Sequence, residues 1–162
     1  MFLQKNMTIK IEIDENLMNQ AIKEAKIAKS MGELPFGAII VCKGEIIGRG
    51  HAETTKDPTF HAELLAIQKA CLTLNKNNLN DCTIYCTNEP CAMCSSAIFQ
   101  SYISRVVIGA SRVDLPNFFE PGKVTIENLA QGCKNKIEII RGILKDKIIP
   151  LFEDVVKDKG VS

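Results

Sequence analysis

The residues of this chain best suited to chemistry are a histidine, a glutamate and two cysteines, which lie in two short segments. The first segment is His61-Ala62-Glu63 and the second is Pro90-Cys91-Ala92-Met93-Cys94. Imidazole and thiolate are ligands that zinc prefers in proteins. Cys91 and Cys94 are three residues apart, so on a helix their sulfur atoms lie on one face. Three protein ligands leave the fourth tetrahedral position open for water, which is the arrangement of a catalytic zinc site.

These segments predict one zinc ion per chain, with His61, Cys91 and Cys94 as its ligands. Both segments stand at predicted helix starts, where the positive end of the helix dipole lowers the pKa of a cysteine thiol. Glu63 follows the histidine by two residues, near enough to face a water molecule on the metal and to move its protons. Glu63 is therefore the candidate catalytic residue.

Each of these residues also has an ordinary interpretation. A lone C-x-x-C motif in a chain without an export signal can be a redox pair. A lone His61 is more often a structural histidine, and a lone Glu63 is usually a solvated carboxylate in the first turn of a helix. Their combination, H-x-E followed by P-C-x-x-C, is the signature of the zinc deaminases. The combination therefore favours the zinc site over the redox pair.

The two motifs and their surroundings resemble the cytidine deaminase superfamily, in its branch of guanine, cytosine and tRNA adenosine deaminases. The resemblance covers most of the chain, through the segments Leu34-Pro35-Phe36-Gly37-Ala38, Gly48-Arg49-Gly50-His51, Asp57-Pro58-Thr59-Phe60-His61-Ala62-Glu63, Glu89-Pro90-Cys91-Ala92-Met93-Cys94 and Arg105-Val106-Val107-Ile108-Gly109-Ala110. It implies an α/β fold, a three-layer α/β/α sandwich with a mixed five-stranded sheet. It also implies a homodimer in which neighbouring subunits help to close the sites.

The elements that must position the two motifs follow from hydrophobic periodicity and from turn residues. Helices are predicted from the N-cap Asp14 to Gly32, from His61 to Leu74, from Cys91 to Gln100 and, interrupted by Pro150, from Leu144 to Val156. Strands are predicted over Phe36 to Cys42, through Ile46 and Ile47, over Cys82 to Thr87, over Arg105 to Ile108 and over Ile137 to Ile140. The first two strands form a hairpin around Lys43-Gly44, and Gly48-Arg49-Gly50 is predicted as a loop where backbone approaches a ligand closely. Nothing divides the chain, so residues 1–162 are expected to form a single zinc-dependent deaminase domain.

The substrate is less sharply indicated, because the chain departs from its relatives at one position. In those enzymes the loop after the second strand carries an asparagine that bonds the base, whereas this chain has Ala52. Alanine cannot make that hydrogen bond, so His51, Glu53 or Thr54 takes over recognition, or the substrate is unusual, or activity is weak. His51 is alternatively an exposed loop histidine. The residues expected to contact substrate are Phe36, His51, Ala52, Glu53, Pro90, Cys91, Phe118 and Phe119.

A second departure follows the fourth strand. The tRNA enzymes have a segment similar to G-A-R-D there, whereas in this chain Gly109-Ala110 is followed by Ser111-Arg112-Val113-Asp114. Those enzymes also have basic tails, whereas the tail of this chain, Glu153 to Ser162, has mixed charge. RNA enzymes normally need a basic stripe for phosphate contacts. The segment from Ser111 to Gly122 carries Phe118, Phe119 and Pro121, and its two phenylalanines either form a lid over a small base or pack into the dimer core.

The sequence therefore favours a deaminase that acts on a free nucleobase or a small nucleoside. Guanine or cytosine-type rings are the favoured substrates. One alternative is a tRNA-specific adenosine deaminase, and another is a deaminase-fold protein without deaminase activity. The intact Glu63 argues against the inactive protein, because a structural zinc site has no use for a proton shuttle.

Composition is consistent with these expectations. The chain has 162 residues with 20 basic and 19 acidic side chains, so a nucleic-acid partner is possible but not favoured. It has no apolar run of about 18 residues and no signal peptide, which predicts a cytoplasmic protein without a membrane segment. The seven cysteines cannot all pair, and those outside the motif are predicted to be small buried hydrophobic residues: Cys42, Cys71, Cys82, Cys86 and Cys133. No histidine or carboxylate pattern supports a second metal site at Cys82 and Cys86.

Overall fold

One mixed sheet of five strands is the framework of the fold. The computed structural model describes residues 2–116, 118–119, 124–133 and 136–155. The strands are β1 (Gly37–Cys42), β2 (Glu45–His51), β3 (Cys82–Asn88), β4 (Arg105–Ala110) and β5 (Glu138–Arg141), and they lie in the order β2-β1-β3-β4-β5. β1 is antiparallel to both β2 and β3, while β3, β4 and β5 are parallel. Four strands, all except β1, therefore end at the same edge of the sheet.

Helices cover both faces of the sheet. They are α1 (Phe2–Ser30), α2 (Ala62–Leu74), α3 (Ala92–Gln100), α4 (Ile126–Gly132) and α5 (Lys145–Ile148). The core on one face joins α2, α3 and α4 to the sheet, and the core on the other joins α1 and α5 to it. Neighbouring residues of β3 alternate between them, since Ile84 belongs to the first core and Tyr85 to the second. The predicted three-layer α/β/α sandwich is confirmed.

The first helix begins earlier than predicted, because Asp14 is not its N-cap. Asp14 lies inside α1 and is buried, and it accepts hydrogen bonds from Arg105 at 2.6 Å and from the Tyr85 hydroxyl at 2.8 Å. Its carboxylate thus anchors the helix to the sheet, while residues 3–13 extend the helix with exposed side chains. The predicted stop is confirmed, since the chain leaves the helix at Gly32, whose φ is +77°.

The second strand is longer than predicted, because Gly48-Arg49-Gly50 belongs to β2 instead of a loop. A Cβ atom on Gly48 would overlap the carbonyl oxygen of Ala66, and one on Gly50 would overlap that of Ala62. These glycines therefore let the backbone of α2 lie directly on the backbone of β2. The close approach that they allow is to a helix, and the prediction of a ligand loop here is wrong.

The other predicted elements are present, with shifts at their ends. The hairpin turns at Lys43 and Gly44, which both have positive φ. Pro150 does end the closing helix, because α5 stops at Ile148 and a short 3₁₀ turn follows over Ile149–Phe152. Val156, the predicted end of that helix, lies outside the described residues.

Helix α4 is absent from the sequence prediction, although its start carries a capping signal. The hydroxyl of Thr125 accepts a hydrogen bond from the Asn128 backbone, and the Asn128 side chain accepts one from the backbone of Thr125. Asparagine in place of the usual glutamate or glutamine makes this signal weak in the sequence. No helix within the described part of the chain has the length and apolarity needed to cross a membrane.

The Gly50 contact predicts a measurable dependence of the fold on one missing methyl group. We expect Gly50→Ala to lower the free energy of unfolding by about 1–3 kcal/mol, because the new Cβ must push α2 away from β2. Urea unfolding of the zinc-loaded protein measures the change. Gly132→Ala is the matched control, since nothing lies within 4 Å of a Cβ there. Equal stability of the two variants would contradict the backbone contact.

Candidate metal centre

The predicted metal ligands meet because two helices begin at the same edge of the sheet. His61 is the N-cap of α2 and Cys91 is the N-cap of α3, and each has extended backbone. Cys94 lies in the first turn of α3, where its backbone N–H donates to the Cys91 sulfur at 3.5 Å. β2 and β3 lead toward these two helices, and both strands run in the same direction on either side of β1. The topology thus brings together residues that are 30 positions apart in the chain.

The distances within this group fit a zinc ion. His61 Nδ1 lies 3.6 Å from Cys91 Sγ and 3.5 Å from Cys94 Sγ, and all three ligand atoms lie within 4.8 Å of one another. Zinc bonds of about 2.05 Å to nitrogen and 2.3 Å to sulfur, at a tetrahedral angle, separate the two ligand atoms by about 3.6 Å. The observed spacing therefore matches the edges of a tetrahedral site in which the described residues supply three ligands.

Glu63 stands directly beside this group. Its side chain is buried, and Oε2 lies 3.4 Å from the sulfur of Cys94. Burial raises the pKa of the Glu63 carboxyl above its usual value. A carboxyl with a raised pKa holds a proton more readily than an exposed one, and a general acid–base residue must both accept and release a proton.

The two cysteines have opposite pKa shifts. A hydrogen bond from the Cys94 thiol, with further help from His61 and the Cys94 backbone N–H, lowers the pKa of Cys91 to about 4. The contact with Cys91 and burial raise the pKa of Cys94, and the contact with Cys91 also raises the pKa of His61. The three ligands thus share protons among themselves, and a divalent cation would displace these protons on binding.

Phe36 and Ala52 lie side by side where β1 begins and β2 ends. Ala52 is buried, and its backbone N–H donates to the Phe36 carbonyl at 3.1 Å, which continues the pairing of the two strands. The side chain at position 52 is a methyl group within this ladder. The chain therefore has no hydrogen-bonding side chain at position 52, where the family resemblance implies an asparagine.

His51 is tied to the protein on both sides of its ring. Nδ1 lies 2.9 Å from Glu24 of α1, and Nε2 lies 3.6 Å from Glu53. The ring is 18% exposed and its residue belongs to β2, so the alternative of an exposed loop histidine is wrong. A bond to Lys56 lowers the pKa of Glu53, which keeps that carboxylate charged beside the histidine. Whether His51 and Glu53 contact substrate stays a prediction.

Phe118 and Phe119 pack within the chain itself. Phe119 lies 5.7 Å from Phe36 between ring centroids, and Phe118 lies 5.1 Å from Phe152. Both are half-buried and pack against the core that joins α1 and α5 to the sheet. Phe36 packs against that core and also against the one behind the predicted metal ligands. Whether Phe118 and Phe119 contact substrate stays a prediction. Pro121 and Gly122, the end of the predicted lid, lie outside the described residues.

The loop before Cys91 is held by a charge network that sequence reasoning missed. Pro90 is buried, and the Glu89 side chain before it accepts a hydrogen bond from the Arg112 backbone N–H at 3.1 Å. Arg141 of β5 forms an ion pair with Glu89 at 3.2 Å and another with Glu127 of α4 at 2.7 Å. The only signal in the sequence is an isolated charge at a strand end, which gives no indication of its partner.

The remaining cysteines differ in their environment. Cys82 and Cys86 are buried as predicted, whereas Cys133 is exposed, so the prediction of burial is wrong for that residue. Cys42 and Cys71 are half-buried. Over the ranges that the structure describes, His61, Cys91 and Cys94 form the one group of three or more potential ligands close enough to hold a metal ion.

Known proteins resemble this chain in both sequence and structure. The profile of the family described as "Cytidine and deoxycytidylate deaminase zinc-binding region" matches residues 11–110. The chain is 40% identical over 160 residues to the tRNA-specific adenosine deaminase of Bacillus subtilis, and the match covers 92% of this chain and 94% of that protein.

Two solved structures extend the comparison. One comes from a study of A-to-I editing by tRNA:A34 deaminases at the wobble position of transfer RNA. It superposes with a TM-score of 0.74 at 29% sequence identity, and the match covers 84% of this chain and 98% of that chain. The other is guanine deaminase of Bacillus subtilis, with a TM-score of 0.60 and 39% identity, covering 63% of this chain and 67% of its own.

Metal analysis of matched cysteine variants tests the ligand set. We expect the double variant Cys91→Ala, Cys94→Ala to lose zinc, because one remaining imidazole cannot hold the ion. The control removes two thiols elsewhere, Cys71→Ala with Cys133→Ala, and should retain about one zinc per chain. Elemental analysis after gel filtration gives both values. Stoichiometric zinc in the first double variant would exclude this site.

Proposed function

We propose that this chain, which belongs to the zinc-binding cytidine and deoxycytidylate deaminase family, is a tRNA-specific adenosine deaminase. It hydrolyses the amino group of an adenine ring in a tRNA, which leaves inosine and releases ammonia. The similarity along nearly the full length of the Bacillus subtilis tRNA-specific adenosine deaminase carries the choice of substrate.

From the sequence alone a free nucleobase is the favoured substrate, and a tRNA is the alternative. Here the tRNA is the proposed substrate. The preference for a small base rests on the Ser111-Arg112-Val113-Asp114 segment and on a net charge of only +1. Phosphate contacts depend on a few well-placed cations, so a small net charge is compatible with RNA binding. A guanine-type base is the second candidate, supported by the shorter match to the Bacillus subtilis guanine deaminase.

In this proposal the zinc ion is held by His61, Cys91 and Cys94, the three side chains whose spacing fits it. The ion, when bound, supplies one kind of chemistry, which is to lower the pKa of a water molecule to about 7. The Glu63 carboxylate lies 3.4 Å from the Cys94 sulfur, so it would stand next to an ion held by these three side chains. The protein's own contribution to the reaction is therefore proton movement and orientation of the base.

Glu63 moves two protons in the proposed reaction. It accepts a proton from the attacking water and delivers it to N1 of adenine, which makes C6 electrophilic. After the water oxygen has added to C6, Glu63 carries the proton of the new C6 hydroxyl to the amino group, and that oxygen becomes the carbonyl of the product. The C6–N6 bond then breaks and ammonia leaves, so that adenosine and water become inosine and ammonia. Burial of Glu63 keeps its carboxyl able to perform both transfers.

The proposal includes a homodimer of a single deaminase domain spanning residues 1–162. Exposed apolar side chains on the outer helices support the dimer: Leu72 of α2 is 81% exposed and Met93 of α3 is 37% exposed. A tRNA substrate also agrees with the predicted cytoplasmic location, where translation takes place.

The role of Glu63 can be separated from metal binding. We expect Glu63→Gln to lower kcat by about 10²–10⁴-fold, because the amide cannot transfer protons, while zinc content stays unchanged. Glu12→Gln, on the exposed start of α1, is the control and should behave as the wild type. Ammonia release and elemental analysis are measured on the same samples. A fully zinc-loaded Glu63→Gln protein with more than a tenth of wild-type kcat would refute the assignment.

A substrate panel tests the proposed function itself. We expect ammonia release and inosine formation from an anticodon stem-loop with adenosine at the wobble position. The same stem-loop with that adenosine moved by one position should react far more slowly, as should free adenosine, guanine and cytosine. Activity confined to guanine would instead support the second candidate. If the zinc-loaded protein releases ammonia from none of these substrates, the result would favour a deaminase-fold protein without deaminase activity.

A further inference from the structure

One buried polar atom, three residues before Cys91 in the chain, has no hydrogen-bond partner among the described residues. Asn88 is the last residue of β3, and its side chain is only 5% exposed. Among the buried side-chain nitrogen and oxygen atoms of the described residues, the Nδ2 atom of Asn88 is the one that has no hydrogen bond. A buried donor without an acceptor destabilises a folded protein, so such groups are rare and call for an explanation.

The direction of β3 places this amide on the face that carries the metal ligands. Cys86 belongs to the core that joins α2 and α3 to the sheet, and Asn88 lies two residues further on the same strand face. Cys86 is close enough to Glu63 for the carboxylate to affect its pKa. Glu89 and Pro90 then lead directly to Cys91. Asn88 is thus at the sheet edge where α2 and α3 begin.

Asn88 also lies at the same edge of the sheet as two predicted substrate contacts. The antiparallel pairing of β1 and β3 ends at Ala38 opposite Cys86, so Asn88 lies two residues beyond the last pair on β3, as Phe36 does on β1. The Phe36 carbonyl in turn accepts the N–H of Ala52. Asn88, Phe36 and Ala52 therefore lie at one edge of the sheet, and Asn88 is the one of the three that has a carboxamide side chain.

The oxygen of the same amide is held in place by the neighbouring Thr87 side chain. The Thr87 hydroxyl accepts the Gly37 N–H at 3.0 Å and donates its own proton to Asn88 Oδ1 at 2.9 Å. This chain of hydrogen bonds fixes the orientation of the carboxamide and leaves the Nδ2 donor unused. Because the donor is already out of water, a base that pairs with it gains the hydrogen bond without a further desolvation cost.

We propose that Asn88 determines substrate specificity by donating a hydrogen bond from Nδ2 to a ring nitrogen of the base. The choice of adenine rests on the proposed function. N1 of adenine receives the proton from Glu63, so N7 and N3 are the ring acceptors that remain for Asn88. The donor would then perform, from β3, the base recognition that the methyl group of Ala52, the residue after β2, cannot perform.

The test pairs a variant of the protein with a variant of the base. Stem-loops are prepared with adenosine, 7-deazaadenosine or 3-deazaadenosine at the reacting position, each analogue replacing one ring nitrogen by C–H. In the wild type we expect one analogue to lower kcat/KM by about 5- to 150-fold, the range for a buried donor left unpaired. Asn88→Leu has a side chain of similar shape but no donor. In this variant the same analogue should lower kcat/KM by a factor at least five times smaller than in the wild type.

Two further variants keep the result interpretable. Asn88→Asp retains an acceptor for Thr87 but lacks the donor, so it should lose the discrimination as Asn88→Leu does. Asn80→Leu changes an exposed asparagine before β3 and should keep the wild-type ratio. Because each ratio is taken within one protein, a partly unfolded variant does not alter it.

The outcomes separate this inference from the proposed function. If the wild type deaminates the stem-loop but neither analogue shows a smaller penalty in Asn88→Leu, the inference is wrong and the proposed function stands. If the stem-loop is inert and guanine reacts, the proposed function fails, and the same ratios with 7-deazaguanine and 3-deazaguanine then test Asn88. A purely structural Asn88 would lower activity on all bases by the same factor.

Discussion

Backbone contact between α2 and β2 determines where the first of the two metal-binding helices begins. Gly48 and Gly50 have no Cβ atoms, so the carbonyl oxygens of α2 lie where side chains of β2 would otherwise stand. This contact sets the position of His61 and Glu63 relative to the sheet. β3 delivers Cys91 and Cys94 to the same edge on the other side of β1. A displacement of α2 by a single methyl group would therefore separate the histidine from the sulfur atoms.

The arrangement at that edge places several ionisable groups out of water. A buried carboxylate beside two cysteines is unfavourable unless a cation compensates for it. Protons shared among His61, Cys91 and Cys94 do so partly, and a zinc ion would do so more fully. The same burial that makes the site costly in free energy gives Glu63 its raised pKa. Stability and proton transfer therefore depend on the same metal.

The sequence is most informative where function depends on close spacing. The ligands and Glu63 lie in two short motifs at helix starts, so both their chemistry and their helical context are visible in the chain. Partners that are distant in sequence are not visible. In the sequence Asp14 resembles an N-cap, but in the structure its carboxylate binds Arg105, which is 91 positions away. The glycines of β2 likewise have the pattern of a loop, and only the packing of α2 explains them. The substrate depends on such long-range neighbours, which is why the motifs predict a deaminase but not its base.

One imidazole and two thiolates, which meet at two helix starts, are the ligands expected for a zinc ion. X-ray absorption at the zinc edge of the metal-loaded protein measures this coordination directly. The structure predicts two sulfur atoms at about 2.3 Å and two nitrogen or oxygen atoms at about 2.0–2.1 Å. Four sulfur neighbours, or fewer than two, would contradict it.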